Sequence, residues 1–308
     1  MTTKDERSMI KVGFNVSYDW VLLKKSLPRI YAHADRICFS IDKNRKTWSG
    51  QSYAFDDHAF RDWLKQADPD NKVDVYEDDF SLPGLSAMEN DSRQRNMMAA
   101  RMGKGGWHVQ IDSDEYFLAF DEFIKALRNI IPRPSGDEKA LNVCPALLPL
   151  IKKVKTGYLF VDFKTRLPEH APFATNVPVY HAARRNGHFN VVVPSYVIHE
   201  TWARSDDELW YKFSNWGHAD EEFAQMDRRT SYFNLWKSLD ENNYQYLCDF
   251  HPGEPAAWPA LGFCKAGSIE ELMAHFPVPR YPLSGVKLFL RNSRNMARAR
   301  SLFARLFS

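Results

Sequence analysis

Four short apolar runs are spaced along the first 115 residues with helix-length segments between them, and this alternation constrains the fold more than any other feature. Ile10–Val16, Arg36–Asp42, Lys72–Tyr76 and Trp107–Asp112 have the length and β-branched or aromatic content of strands. Between them, Asp19–Ala32 carries Trp20, Leu23, Leu27 and Ile30 at helical spacing, with Pro28 as a possible early stop. Asp56–Gln66 places Phe60, Trp63 and Leu64 on one side, and Asp91–Met102 is predicted helical with Asn90 or Asp91 as cap. Strands alternating with helices of this length predict βαβ units. The expected class is α/β: a Rossmann-like, doubly wound, mostly parallel sheet with right-handed connections.

The rest of the chain is less regular. Phe120–Ile131 is predicted as an amphipathic helix with Phe123, Leu127 and Ile130 inward. Asp137–Val193 mixes strand-like runs (LNVCPAL, GYLFVDF, FNVVV) with Pro-rich loops and shows no helical period. Ser205–Trp216 is predicted as a helix opened by the Ser205/Glu208 capping box. Phe223–Leu239 is a further helix, and Pro252, Pro255 and Pro259 mark an irregular segment. The predicted organisation is a main domain over 1–255 and a C-terminal helical extension over 256–308.

Composition narrows the function. Of 308 residues, 41 are Lys or Arg and 39 are Asp or Glu, a net charge of +2 that argues against a general nucleic-acid binder. Cys38, Cys144, Cys248 and Cys264 are too far apart for a CxxC zinc site. Met1–Ser8 lacks the apolar core of a secretory signal. No apolar run approaches the roughly 18 residues of a membrane span, so a reducing cytoplasm is expected. Aromatic residues reach 14%, which suits a protein that grips sugars or bases by stacking.

In open α/β sheets ligands bind beyond the carboxyl ends of the strands. Three such ends are polar here: Asn15-Val16-Ser17, Asp42-Lys43-Asn44 and Asp112-Ser113-Asp114-Glu115. Asn15 and Asp42, taken singly, are equally readable as solvated loop residues. Two carboxylates two residues apart at a strand end can share a divalent cation, and oxygen donors of this kind select Mg²⁺ or Mn²⁺.

Arg95-Asn96 with Trp107–Glu115 (WHVQIDSDE) resembles a stretch of family 2-type GT-A glycosyltransferases. Asn15 after the first strand, and Ala34-Asp35-Arg36-Ile37 leading to Asp42, resemble that family's first two strands. The likeness covers roughly residues 10–120. Ile198–Ser205 (IHETWARS), Lys212 and Trp216-Gly217-His218 resemble the downstream half of bacterial members, whereas residues 137–190 match no motif. The resemblance implies a GT-A fold with a donor half near 10–120 and an acceptor half near 137–255. It implies a metal-dependent, inverting transfer of a sugar from a nucleotide-diphosphate sugar to a hydroxyl of a glycan or lipid-linked glycan.

By the same likeness Asp112 and Asp114 would hold Mn²⁺ or Mg²⁺, with His199 as a further ligand and His218 and His251 as rivals. Asp42 would meet the nucleoside, Asn15 and Asp112 would lie on the donor side, and Arg95 would contact base or phosphate. Inversion needs a general base. The candidates are Asp220, Glu200 and Glu169, in that order, and Asp220 is equally a helix N-terminal carboxylate. His181 and His188 with Arg184 and Arg185 form a basic patch that is either a phosphate contact or a solvated loop. Trp216 is a candidate sugar platform, whereas Trp210 and Phe213 pack a helix. A sugar-nucleotide nucleotidyltransferase is disfavoured, because NVSYDW after the first strand lacks its glycine-rich loop. The remaining alternative is a non-catalytic carbohydrate-binding or scaffold protein.

Lys287–Ser308 has six basic residues and no acid. Helical periodicity puts Lys287, Arg291, Arg294, Arg298 and Arg305 on one face. Leu288, Phe289, Met296, Phe303, Leu306 and Phe307 cluster opposite. Such a helix fits the cytoplasmic face of an anionic membrane, or packs on the main domain.

Overall fold

A computed structural model describes residues 5–215, 223 and 225–298. Strands β1 (Ile10–Val16), β2 (Arg36–Asp42), β3 (Val73–Asp78) and β4 (Trp107–Asp112) form a parallel block in the order β4-β1-β2-β3. Helices α1 (Leu23–Ile30), α2 (Asp57–Ala67) and α3 (Ala87–Met102) connect them. The α/β expectation describes this block closely.

The chain continues through β5 (Glu115–Phe117), α4 (Phe120–Ile130), β6 (Leu141–Val154), β7 (Gly157–Val161), β8 (Ala174–Thr175) and β9 (Phe189–His199). Then come α5 (Asp206–Asn215), α6 (Met226–Ser238), β10 (Leu261–Lys265), α7 (Ile269–His275) and α8 (Gly285–Asn292). These strands make the sheet mixed. β8 joins β4 antiparallel, and β6, β7 and β10 extend the sheet antiparallel; β9 runs parallel to β6 and antiparallel to β5. Because β10 pairs with β7 and α7 packs Ile269 and Leu272 into the second core, residues 261–276 share one sheet and core with the residues before 255. The predicted boundary at 255/256 therefore does not separate a structural unit.

Successive side chains of a strand point to opposite faces, and in the parallel block the two faces differ in kind. Val12, Phe14, Phe39, Ile41, Val109 and Ile111 point into an apolar core closed by Leu27 of α1, Phe60 of α2 and Leu127 of α4. The alternate positions Lys11, Asn15, Ser40, Asp42, His108 and Gln110 are also buried, but polar. They bond to α3 and to the loops beside it. Lys11 Nζ and His108 Nε2 both lie 2.9 Å from the carbonyl of Gly103, satisfying the C-terminal end of α3. Burial, and then Lys11, push the His108 pKa down to about 3, which keeps it neutral. Gly103 ends α3 at φ 76°, a conformation that glycine adopts without strain.

Two helices differ from expectation for identifiable reasons. α3 begins four residues before Asp91, because Ser86 and Glu89 form a capping box. Asn90 and Asp91 are interior residues with other partners: Asn90 accepts from Leu82 N and donates to Trp48 O, and Asp91 pairs with Arg95. Pro28 lies inside α1 rather than ending it. Its missing N–H would have bonded Lys24, in the first turn, where α1 continues from a 3₁₀ turn at Trp20–Leu22. The second core, under the extension, is aromatic. Trp202, Phe213, Trp236 and Trp258 meet there, and Trp210 packs edge-on against Phe233 of α6, as a packing role requires. The four cysteines are free thiols. Among the described residues no helix is long and apolar enough to cross a membrane.

Candidate functional site

The ends of β1, β2 and β4 lie side by side, with Asn15 in register with Ser40 and with Asp112. Beyond them opens a cleft of about 800 Å³. Asn15, Asp42, Arg95, Asp112, Asp114 and His199 all line it, so the six residues expected to hold donor and metal do converge. Glu169 and His251 line it too, whereas Glu200, His181 and His188 do not. Asp220, Trp216, Gly217 and His218 lie outside the described residues.

Convergence does not mean that these side chains are free to bind. Asn15 Nδ2 donates to Asp91 at 3.2 Å, and its Oδ1 accepts from the Ser40 hydroxyl at 3.1 Å. Arg95 is 1% exposed and spends its guanidinium on Asp91 (2.7 Å), Asp112 (2.8 Å) and Gln110 (3.4 Å). Burial raises the Asp91 pKa against the pull of Arg95. Arg95 therefore positions Asp112 with a guanidinium that already has three partners.

The Asp42 carboxylate is likewise occupied by its surroundings. Its Oδ1 accepts from the N–H of Asn44 (2.9 Å) and Lys46 (3.1 Å), and its Oδ2 from those of Phe80 and Ser81 (3.0 Å each). Four backbone donors fill the acceptor capacity of a carboxylate. Asp42 thereby shapes the loop that brings Lys46, Trp48 and Tyr53 to the cleft.

The turn after β4 is held from several elements. Glu115 accepts from Asp112 N at 2.8 Å and pairs with Arg184, which in turn lies over the Phe173 ring. Burial raises the Glu115 pKa despite Arg184. Antiparallel pairing of β5 with β9 puts Glu115 opposite His199, and Glu200 N donates to Asp114 O. These contacts leave the Asp114 carboxylate among cations. Arg204 and Lys212 each lie 2.6 Å from Oδ2, and His199 Nε2 lies 3.6 Å away. Burial opposes ionisation of Asp114, but Lys212, His199 and Arg204 outweigh it and hold the carboxyl well below the usual range. Lys212 feels the reverse, its pKa lowered by burial and by Arg204.

Two carboxylates and an imidazole are donors of a kind that Mn²⁺ or Mg²⁺ takes. Their surroundings are not those of a metal site. A divalent ion would be a third positive centre on a carboxylate that already carries Lys212 and Arg204, and Asp112 is already paired with Arg95. Among the described residues no group of three or more His, Cys, Asp or Glu is placed to hold a metal. The ligand roles expected of Asp112, Asp114 and His199 do not fit this arrangement.

The candidate bases separate by position. Glu200 accepts from the Tyr116 hydroxyl and pairs with Lys25 at 3.0 Å, 8% exposed at its side chain, outside the cleft lining. Those partners fix β9 against β5 and α1, so Glu200 serves the frame. Glu169 is solvent-accessible in the cleft wall, its backbone tied to β6 through Leu147 N at 2.8 Å. The surrounding protein displaces bulk water and raises its carboxyl pKa, against His199, Arg185 and Arg184.

Sequence reasoning missed Tyr53 and gave Arg204 no role. Tyr53 Oη and Trp258 Nε1 are buried without a hydrogen-bond partner among the described residues, and both residues line the cleft. Such atoms are donors held ready for a ligand or water. No local pattern marks Tyr53, which sits in a loop; only the fold brings it to Asp42. No protein-family model matches this chain, and no curated protein matches it.

Proposed function

We propose that the protein is a glycosyltransferase of GT-A type that takes a nucleotide-diphosphate sugar and transfers the sugar to a hydroxyl with inversion. One observation carries the reading. The cleft beyond the parallel strand ends brings the Asp112-Ser113-Asp114 turn together with the buried cation Lys212 and with unspent aromatic and carboxylate groups. As the glycosidic bond breaks, its electron pair stays on the diphosphate. Lys212, with Arg185 and Lys46 in the same lining, supplies fixed positive charge where that charge develops. Asp114 holds the Lys212 ammonium in place and is itself held by Arg204. Trp48 and Tyr53 offer flat surface and a hydroxyl to the nucleoside.

On the acceptor side the new bond runs from the acceptor oxygen to the anomeric carbon, and its proton passes to a carboxylate. Glu169 is the described candidate base in the cleft, and its raised pKa lies nearer to neutral pH than an ordinary glutamate's. This reading places Glu169 ahead of Glu200. No step is assigned to a divalent metal.

Thermal-shift measurements with UDP, GDP, dTDP and ADP, each with Mn²⁺ and with EDTA, test the binding half. At least one diphosphate should raise the Tm in EDTA, and Lys212→Met should remove that shift. No shift with any of them overturns the reading, and a shift seen only with Mn²⁺ returns Asp114 to a metal. For the transfer half, Glu169→Gln should cut turnover about 100-fold or more at unchanged diphosphate binding. Binding without turnover in the parent leaves a carbohydrate-binding scaffold.

A further inference from the structure

The last described helix presents a surface that the cleft does not use. α8 is capped by Ser284, whose hydroxyl accepts from Lys287 N, and it stops at Asn292 instead of running on as one helix. Residues 294–298 are helical again after a break at Ser293. One side of α8 is fastened to the sheet. Asn292 donates to Val192 O (2.9 Å) and accepts from Val192 N (3.0 Å), pairing with the strand much as another strand would. Arg294 donates to Ala140 O at 2.8 Å and stacks on Phe189. Leu288 lies in a groove of about 600 Å³ whose walls include Ile130, Leu141, Phe189 and Val191.

That attachment turns the other side outward. Val286 is 71% exposed and Phe289 73%, three residues apart and so on one face. Helical periodicity groups Leu288 with Phe289; the structure separates them by exposure, because Leu288 is half-buried in the groove wall. Between and after them come Lys287 and Arg298, both exposed, with exposed Arg280 just upstream. From Leu272 to Ser308 the sequence has seven Lys or Arg and no acid, in a chain whose net charge is only +2.

We propose that this face of α8 docks on an anionic lipid surface, with Val286 and Phe289 entering the interface and Lys287, Arg280 and Arg298 facing the headgroups. Charge selects the partner. A patch that pairs large exposed apolar side chains with an acid-free basic segment matches an anionic bilayer, in which apolar contact and charge attraction add. The apolar groove opens beside Phe289 and gives an acyl chain a place to enter. The inference is independent of the chemistry in the cleft.

The test is co-sedimentation of the full chain with vesicles of phosphatidylcholine containing 30% phosphatidylglycerol, and with pure phosphatidylcholine. Binding to the anionic vesicles is expected at low salt, with loss at high salt and little binding to neutral ones. Val286→Ser with Phe289→Ser should weaken partitioning at least about 10-fold. Lys287→Glu with Arg280→Glu should do so by a similar or larger factor, since each charge near such a surface is worth about fivefold. The exposure of these four residues lets the variants fold, and unchanged melting curves check it. Equal sedimentation of parent and both variants overturns the proposal. So does a parent that ignores vesicles but forms a dimer that Phe289→Ser dissociates, which assigns the face to a second copy. A parent that binds only after removal of residues 299–308 overturns it too, because the chain's own tail then covers the face.

Discussion

The parallel block has one apolar face and one polar face, and both are buried. Toward α1, α2 and α4 the strands present Val12, Phe14, Phe39, Val109 and Ile111; toward α3 they present Lys11, Asn15, Ser40, His108 and Gln110. The first face gains stability from area removed from water, which is insensitive to orientation. The second gains little net stability from each hydrogen bond but fixes directions, and an unmade bond there is costly. The site is therefore not an addition at the rim of a generic core. It is the outer edge of a buried polar layer that begins at the far end of α3 with Lys11 and His108 and ends at Asp112.

One substitution on each face separates their roles. Arg95→Leu leaves Asp91 and Asp112 without their shared cation and should cost about 3–5 kcal/mol in urea unfolding. It should also abolish diphosphate binding by the protein that remains folded. Phe39→Ala on the opposite face should cost a similar 3–5 kcal/mol through a cavity, with binding affinity unchanged. If both variants lose binding equally while folded, the two faces do not divide stability from geometry as described.

A smaller effect sharpens the electrostatics of the polar face. Asp114 has a depressed pKa in the folded state, so its ion pairs stabilise fully above the unfolded carboxyl pKa of about 3.9 and fade as pH falls below it. Asp114→Asn should therefore cost about 3 kcal/mol near neutral pH, and this deficit should shrink below pH 4. Asp91, whose pKa is raised by burial, should show the opposite sign. Its contribution favours the fold at low pH and is lost as pH rises through its folded pKa, so the parent should gain on Asp91→Asn on acidification. Parallel pH profiles for the two variants would contradict these assignments.

The smallest effect separates α3 as a frame from α3 as a site. Ser86→Ala removes one half of the capping box and should cost about 1 kcal/mol in thermal unfolding. Diphosphate affinity should not change, because Arg95 is more than two turns away from the cap.

Most of the first half was legible in the sequence, since short-range pattern decides it. The strands Ile10–Val16, Arg36–Asp42 and Trp107–Asp112 stand where alternation and β-branched content placed them. α3 was harder to bound, because its buried side carries Asn90, Asp91, Gln94 and Arg95 in place of the apolar stripe that normally reveals a helix. The extension was legible only as strand-like runs. The pairing of β10 with β7, whose partners are 100 to 108 residues apart in the chain, leaves no local trace.

For the site, residue type and spacing were enough to bring Asn15, Asp42, Asp112 and Asp114 to one place, because strand ends in a parallel sheet share an edge. They were not enough to say what each side chain does there. That Asp42 is spent on four backbone N–H groups, that Arg95 is shared between Asp91 and Asp112, and that Lys212 and Arg204 meet on Asp114 are outcomes of packing. The sequence by itself determined the alternation of elements and the chemical groups at the strand ends, because both follow from patterns within ten or so residues. Only the tertiary structure decided which charges are already paired and which still face the cleft, because a charge is neutralised by whatever lies within about 4 Å in space, and in this chain those neighbours come from α3, β9, α5 and the loop between β9 and α5.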